Sequence, residues 1–322
     1  MSIRRLVFAF TFLTLLVLQP LTANATTPTY DAIYVFGDSY YDVGNIFIAT
    51  KGAEPLSPPY YNGRFSNGPL APEYLAAALH APLTSFAWGG ATTGIGNSGD
   101  GGTQTSFGTR GLPGMETELA TTLGSIPPAL TPTSLFIVWG GPDDFISGGT
   151  PQQAVTDILT IVGTLQLAGA THILVPGMVD LSLTPEFAGN PFASGFSAAF
   201  NLGLKTSLPK GATYFDTAAL LESVINNPGA YGFTNVTQPC LVGLTPCSNP
   251  NQYLFWDNIH PTTAADQILA GQFANAVPEP STLVLLGTAV AAIAGVLRRK
   301  LSAQRLPKVE GTGASYQGGF RA

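Results

Sequence analysis

The sequence predicts an α/β domain built on a mostly parallel sheet. Short apolar runs rich in β-branched and aromatic residues alternate with longer helical segments, the pattern of strands joined by crossover helices. About 250 residues remain once two unusual ends are set aside, enough for one large domain. No internal repeat is visible, so a solenoid is excluded.

The elements follow in order. Strands are expected at Ala32–Phe36, Leu135–Trp139, Ile173–Val175 and Thr213–Phe215. Helices are expected at Pro72–His80, Gln152–Leu167, Ser194–Leu208, Thr217–Ile225 and Thr262–Ala276. Ser194, Thr217 and Thr262 sit where N-caps belong, and Pro151 suits a first helical turn. Two long connections, Lys51 to Pro69 and Gly89 to Gly114, read as binding loops or as plain surface.

Composition narrows the function. Only 10% of the 322 residues are charged and the net charge is −6, so no basic stripe exists to meet nucleic-acid phosphates. With 45% hydrophobic residues the chain has a core to bury, which argues against disorder. The charge is segregated. Residues 26–277 hold five basic and 17 acidic side chains, a net −12, while the other eight basic residues lie at the two ends.

Met1 to Ala25 reads as a secretory signal peptide: Arg4 and Arg5, an apolar core from Leu6 to Leu18, then Ala23-Asn24-Ala25 for cleavage. At the other end Val277-Pro278-Glu279-Pro280-Ser281 precedes an apolar run from Thr282 to Leu297 and the cluster Arg298-Arg299-Lys300. Those sixteen residues are slightly short of a comfortable span, and the basic cluster would hold its side in the cytoplasm. This end resembles the PEP-CTERM sorting signal. The resemblance implies a bacterial envelope protein, cut near the motif by an exosortase-type enzyme and released or attached at the surface. The tail 301–322 is longer than such signals usually carry. The expected organisation is therefore 1–25 signal peptide, 26–276 main domain, 277–300 sorting signal with a membrane helix at 282–297, and 301–322 tail.

Ligands in open parallel sheets bind beyond the carboxyl ends of the strands. Gly37-Asp38-Ser39 follows the first strand there, and Gly140 to Asp144 follows the second. Of three histidines, His80 ends an alanine-rich helix and His172 precedes a strand, structural positions both. His260 has an aspartate three residues upstream, Asp257. A nucleophilic serine needs a base, and the base needs a carboxylate to hold its tautomer. Asp257 and His260 could supply both to Ser39. No G-x-S-x-G occurs, so the ordinary nucleophile elbow is absent.

Phe36-Gly37-Asp38-Ser39-Tyr40-Tyr41-Asp42-Val43-Gly44-Asn45 resembles the first sequence block of GDSL-type, or SGNH, esterases and lipases, and Asp257-x-x-His260 resembles their last. Phe86-Ala87-Trp88-Gly89-Gly90-Ala91 is similar to the second block, and Trp139 to Phe145 to the third. The blocks run in order from about Ala32 to Ala276. The resemblance implies a flavodoxin-like three-layer α/β/α sandwich and ester hydrolysis without metal or cofactor. It implies Ser39 as nucleophile, His260 as base, Asp257 as its orienting carboxylate, and the amides of Ser39 and Gly90 in the oxyanion hole. The implied partners are small esters, lipids or acetylated polysaccharide.

Two positions depart from the family. Where an asparagine would donate to the oxyanion stands Asp143. An ionised carboxylate there repels the charge it should stabilise; a buried, protonated one could donate; or turnover is weak or lost and the fold serves as a binding module. Ser85 replaces the asparagine usual before the second block, which puts loop geometry there in question. Cys240 and Cys247, in an exported protein, read as one disulfide bracing the loop ahead of Asp257. Asp42, Asp144, Asp180, Asp216 and Asp266 show no metal-ligand spacing, and solvated or capping roles suffice for them.

Overall fold

The computed structural model describes residues 30–277 together with 293, 295 and 296. The expected signal peptide, the tail and all but three residues of the expected 282–297 membrane helix lie outside the described residues. Among the described residues no helix is long and apolar enough to cross a membrane. The described residues 30–277 belong to one compact unit.

In chain order the elements are β1 (Ile33–Phe36), α1 (Asn45–Ala49), α2 (Ala71–Leu79), β2 (Leu83–Ser85), α3 (Met115–Thr122) and β3 (Leu135–Val138). Then come α4 (Pro142–Ile146), α5 (Pro151–Leu167), β4 (His172–Pro176), α6 (Pro191–Ser207), β5 (Ala212–Phe215) and α7 (Thr217–Asn226). The last are β6 (Asn235–Pro239), β7 (Leu241–Val242), β8 (Thr245–Pro246), β9 (Tyr253–Phe255) and α8 (Thr263–Ala276).

Five strands form the central sheet in the order β2-β1-β3-β4-β5, every pair parallel. This is the flavodoxin-like order, with its switch point between β1 and β3. β1 and β3 are buried along their whole length, because parallel strands covered on both faces need apolar side chains at every position. Helices α2 and α8 pack against each other, as do α5 and α6. The resulting α/β/α architecture is the one expected.

The differences from expectation are local. β2 was not foreseen, since Leu-Thr-Ser is short, partly exposed and on the sheet edge. α6 begins three residues before Ser194. Its cap is Asn190, which accepts from the amides of Phe192 and Ala193, with Pro191 at the first helical position. Ser194 instead donates to Asp180 at 3.0 Å. Likewise Asp216, not Thr217, caps α7 by accepting from Ala219 at 3.1 Å. Thr262 caps α8 as expected and Pro151 opens α5.

Leu174, fully buried in β4 and flanked by β3 and β5, tests the core. Leu174→Ala is expected to cost about 2–5 kcal/mol, the range for emptying such a site. Urea unfolding should show a lower midpoint at unchanged slope.

Candidate active site

The chain leaves β1 into a tight turn that carries Ser39. The Gly37 amide donates to Glu118 Oε2 at 3.0 Å, and Asp38 Oδ1 accepts from the Tyr40 amide at 3.0 Å. A side chain at Gly37 would bring a Cβ to 2.7 Å from the Trp139 carbonyl oxygen, so only glycine lets β1 and β3 end this close together. No helix starts at Ser39. α1 begins only at Asn45, and Asp42 accepts from the amides of Gly44, Asn45 and Ile46. The serine therefore sits on a braced turn, 9% exposed.

His260 arrives from the opposite end of the domain. Asp257 Oδ1 accepts from the amides of Ile259 and His260 at 2.9 and 2.7 Å, folding the loop into a turn around its carboxylate. Asp257 Oδ2 lies 2.8 Å from His260 Nδ1, and His260 Nε2 lies 2.7 Å from Ser39 Oγ. A carboxylate beside Nδ1 keeps the ring proton there and leaves Nε2 as acceptor. The phenol of Tyr60 donates to Asp257 Oδ2 at 2.7 Å. Burial pushes the Asp257 carboxyl up, but the charge of His260 and these hydrogen bonds together bring it below the usual range. The rings of Phe65 and Tyr40 flank the imidazole, with centroids 5.0 and 5.5 Å away. Just upstream, Cys240 and Cys247 are joined by a disulfide across the β7–β8 hairpin. The Cys240 and Leu241 amides donate to the carbonyls of Phe255 and Trp256, so the hairpin braces the strand that delivers Asp257.

Gly90 and Asp143 meet Ser39 and His260 in one cleft of about 210 Å³. Gly90 has φ +84°, and a Cβ there would lie 2.4 Å from Asn97 Oδ1, so the position excludes other residues twice over. Neither the Ser39 nor the Gly90 amide has a hydrogen-bond acceptor among the described residues. Both long connections contribute: Glu54 and Phe65 from the first, Gly89, Gly90 and Gly99 from the second. Asp143 is buried and accepts from the hydroxyl of Ser98 at 2.5 Å. Burial raises its carboxyl to about 6, against the opposing pull of the Ser98 bond and the His260 charge. A hydroxyl facing a carboxylate-held imidazole, beside two free amides, is an arrangement that can attack a carbonyl carbon and hold the resulting oxyanion.

A family sequence model described as GDSL-like Lipase/Acylhydrolase matches residues 33–273. The chain belongs to the GDSL lipase/acylhydrolase family. It is thereby a carboxylic ester hydrolase. A second sequence model, the PEP-CTERM protein-sorting motif, matches residues 276–300 and suggests export to the surface or beyond. Among similar curated proteins is the thermolabile hemolysin of Vibrio parahaemolyticus, 28% identical over 74% of this chain and 62% of its own length. A GDSL esterase/lipase of Arabidopsis thaliana is 28% identical over 77% of this chain and 85% of its own. A phosphatidylcholine-sterol acyltransferase of Aeromonas hydrophila is 29% identical over 72% of each. Among solved structures, an acetylxylan esterase from Geobacillus stearothermophilus aligns with TM-score 0.45 at 12% identity, covering 78% of this chain and 95% of its own.

Several contacts of this GDSL protein escape a reading of its sequence. The phenol of Tyr60 is spent on Asp257, which nothing near either residue in the sequence marks. Ser85 preserves the loop it had put in question, donating to the Tyr41 carbonyl at 2.7 Å and so tying the first block to the second. Asn45 adds bonds to the carbonyls of Ser85 and Ala87. Asp42, Asp144 and Asp266 are buried rather than solvated. Asp42 also accepts from Gly89, Asp144 from Thr93, and Asp266 from Ala71 and Ser66. Asp180 and Asp216 are caps.

These buried acids give the fold a pH signature. Desolvation raises Asp42 and lifts Asp38, Glu118 and Asp266 well above the ordinary range, with Asp143 at about 6 and Asp144 at about 7. Each holds its proton to a higher pH folded than unfolded. Their contribution is complete below the unfolded value and is lost as pH rises through the folded one, for Asp143 and Asp144 between about 4 and 7. Asp257 runs the other way, but its share is lost only in stronger acid. Calorimetry should give a higher unfolding temperature at pH 5 than at pH 8; an equal or lower one at pH 5 would contradict this balance.

Proposed function

We propose that the protein is an exported serine esterase or lipase acting through Ser39, His260 and Asp257. The observation that carries this is the unbroken line of contacts from Ser39 Oγ through the imidazole to Asp257, opening on a cleft with two free amides. Ser39 Oγ attacks the ester carbonyl carbon as its proton passes to His260 Nε2. Asp257 holds the imidazolium that forms. The tetrahedral oxyanion accepts from the Ser39 and Gly90 amides. Collapse breaks the bond to the alcohol, which leaves with the proton from Nε2. Water then repeats the sequence on the acyl-enzyme, releasing the acid and restoring Ser39.

Asp143 occupies the remaining oxyanion position. While ionised, it binds the Ser98 hydroxyl and opposes the oxyanion; with a proton, it becomes a donor. In this reading residues 26–276 are the hydrolase domain and 277–300 the signal for an exosortase-type enzyme, with 301–322 as tail. Small esters, lipids and acetylated polysaccharide are the substrate classes. Asp143 also supports a second reading, a surface binding module that kept the fold and lost turnover.

Full-length protein should hydrolyse p-nitrophenyl acetate, butyrate or decanoate, and Ser39→Ala should lose that activity to background. Labelling of the wild-type serine by a fluorophosphonate separates the two readings, because only an activated hydroxyl reacts; no labelling favours the binding module. Asp143→Asn supplies an amide donor at every pH. It should raise kcat at pH 8 by up to about 10²–10³, the usual worth of one such donor. An unchanged or lower kcat would remove this account of Asp143.

A further inference from the structure

Behind the His260 loop lies a second cavity, bounded by α7, β9 and α8, that the chemistry above does not use. Its wall is almost wholly hydrocarbon, including Leu221, Val224, Phe233, Leu254 and Leu269, all buried. The space open to the centres of water-sized groups is about 60 Å³, room for roughly five of them. Tyr40 and Ile259 line this cavity and the catalytic cleft alike, and the Tyr40 hydroxyl donates to the Ile259 carbonyl at 2.6 Å where the two meet. These residues directly neighbour Ser39 and His260 in the chain. One polar group lies on the cavity wall: Thr217, 4% exposed, with a buried hydroxyl that has no partner among the described residues.

We propose that this cavity receives the far end of a medium-length alkyl chain on the acyl side of the ester, the chain leaving the cleft past the Tyr40–Ile259 wall. The proposal rests on the esterase reading and deepens it by naming the substrate class. An apolar wall with one hydroxyl suits hydrocarbon and offers a sugar ring too few polar partners. The first carbons occupy the cleft and about five methylene-sized groups fill the cavity, so chains of about six to ten carbons fit best. Each methylene moved from water into such a wall is worth roughly fourfold in binding.

Ala265, on the cavity wall at the start of α8, is the position to fill. In Ala265→Leu the ratio of kcat/KM for p-nitrophenyl decanoate to that for the acetate should fall at least tenfold. Leu221→Ala, which enlarges the space, should move the preferred length upward. A ratio unmoved by both variants overturns the proposal. Should no ester be hydrolysed, the esterase reading fails and titration calorimetry with decanoate on Ser39→Ala still decides the cavity. Decanoate should bind, and at least tenfold more weakly once Ala265→Leu is added. No binding, or binding indifferent to Ala265→Leu, overturns the proposal.

Discussion

Loops that carry a site expose backbone N–H groups, and buried ones must find acceptors. In this protein several of those acceptors are carboxylates. Glu118 reaches from α3 to take the amides of Gly37 and Trp88, joining the loop of Ser39 to the loop of Gly90. Asp42 takes three amides at the start of α1 and a fourth from Gly89. Asp257 takes two in its own turn, and Asp266 holds the start of α2 to α8. A carboxylate has about four lone-pair sites, so one side chain can gather a loop that a single carbonyl could not. The cost is desolvation of an acid, and it is met by backbone dipoles rather than by cations, because the described domain has few to offer. The two arginine–carboxylate pairs among the described residues, Arg64–Glu73 and Arg110–Glu54, involve none of these four acids.

That arrangement explains what could be read from the sequence. β1, β3 and β4 were legible because their apolar runs follow from burial on both faces, a constraint local to each strand. β5, a half-buried edge strand, was legible instead from its Thr-Tyr-Phe run of strand-favouring residues. β2 carries only three half-exposed residues, and α1 and α4 only five residues each, too short for a period to show. The misplaced caps at Ser194 and Thr217 have a common cause. A better acceptor, Asn190 or Asp216, stood just upstream, and Ser and Thr are also comfortable inside a first turn.

Ser39, Asp257 and His260 were legible because their blocks pair residue type with close spacing. The supporting contacts were not. Glu118 and Gly37 are 81 residues apart, Tyr60 and Asp257 are 197 apart, and nothing in either local sequence marks the partner. The Gly89–Gly114 connection, read as a binding loop, lines the cleft with Gly89, Gly90 and Gly99. Asn97 bonds the carbonyls of Gly89 and Pro113, and Asp100 takes the amides of Arg110 and Leu112. Glycine there serves close backbone approach more than freedom. Side-chain polar groups at long range, not local propensity, hold this loop in place.

The same logic gives Asp143 its meaning. It is one more buried acid in a domain that uses buried acids throughout, yet it accepts a hydroxyl from Ser98 and no backbone amide. Desolvation therefore dominates it, and its carboxyl stays near 6, whereas the hydrogen bonds and imidazole around Asp257 carry that acid below the usual range. Two carboxyls thus flank one imidazole with opposite tendencies: Asp257 keeps its charge and Asp143 readily gives its charge up. Asp38, close behind and raised well above the ordinary range partly by Asp143 itself, makes a second negative charge there still less favourable. An amide in the same position would be indifferent to pH. An acid there makes the charge facing Ser39 depend on the surroundings of the domain, and mild acid is the condition in which that charge is lowest and the buried acids around it are most stably held.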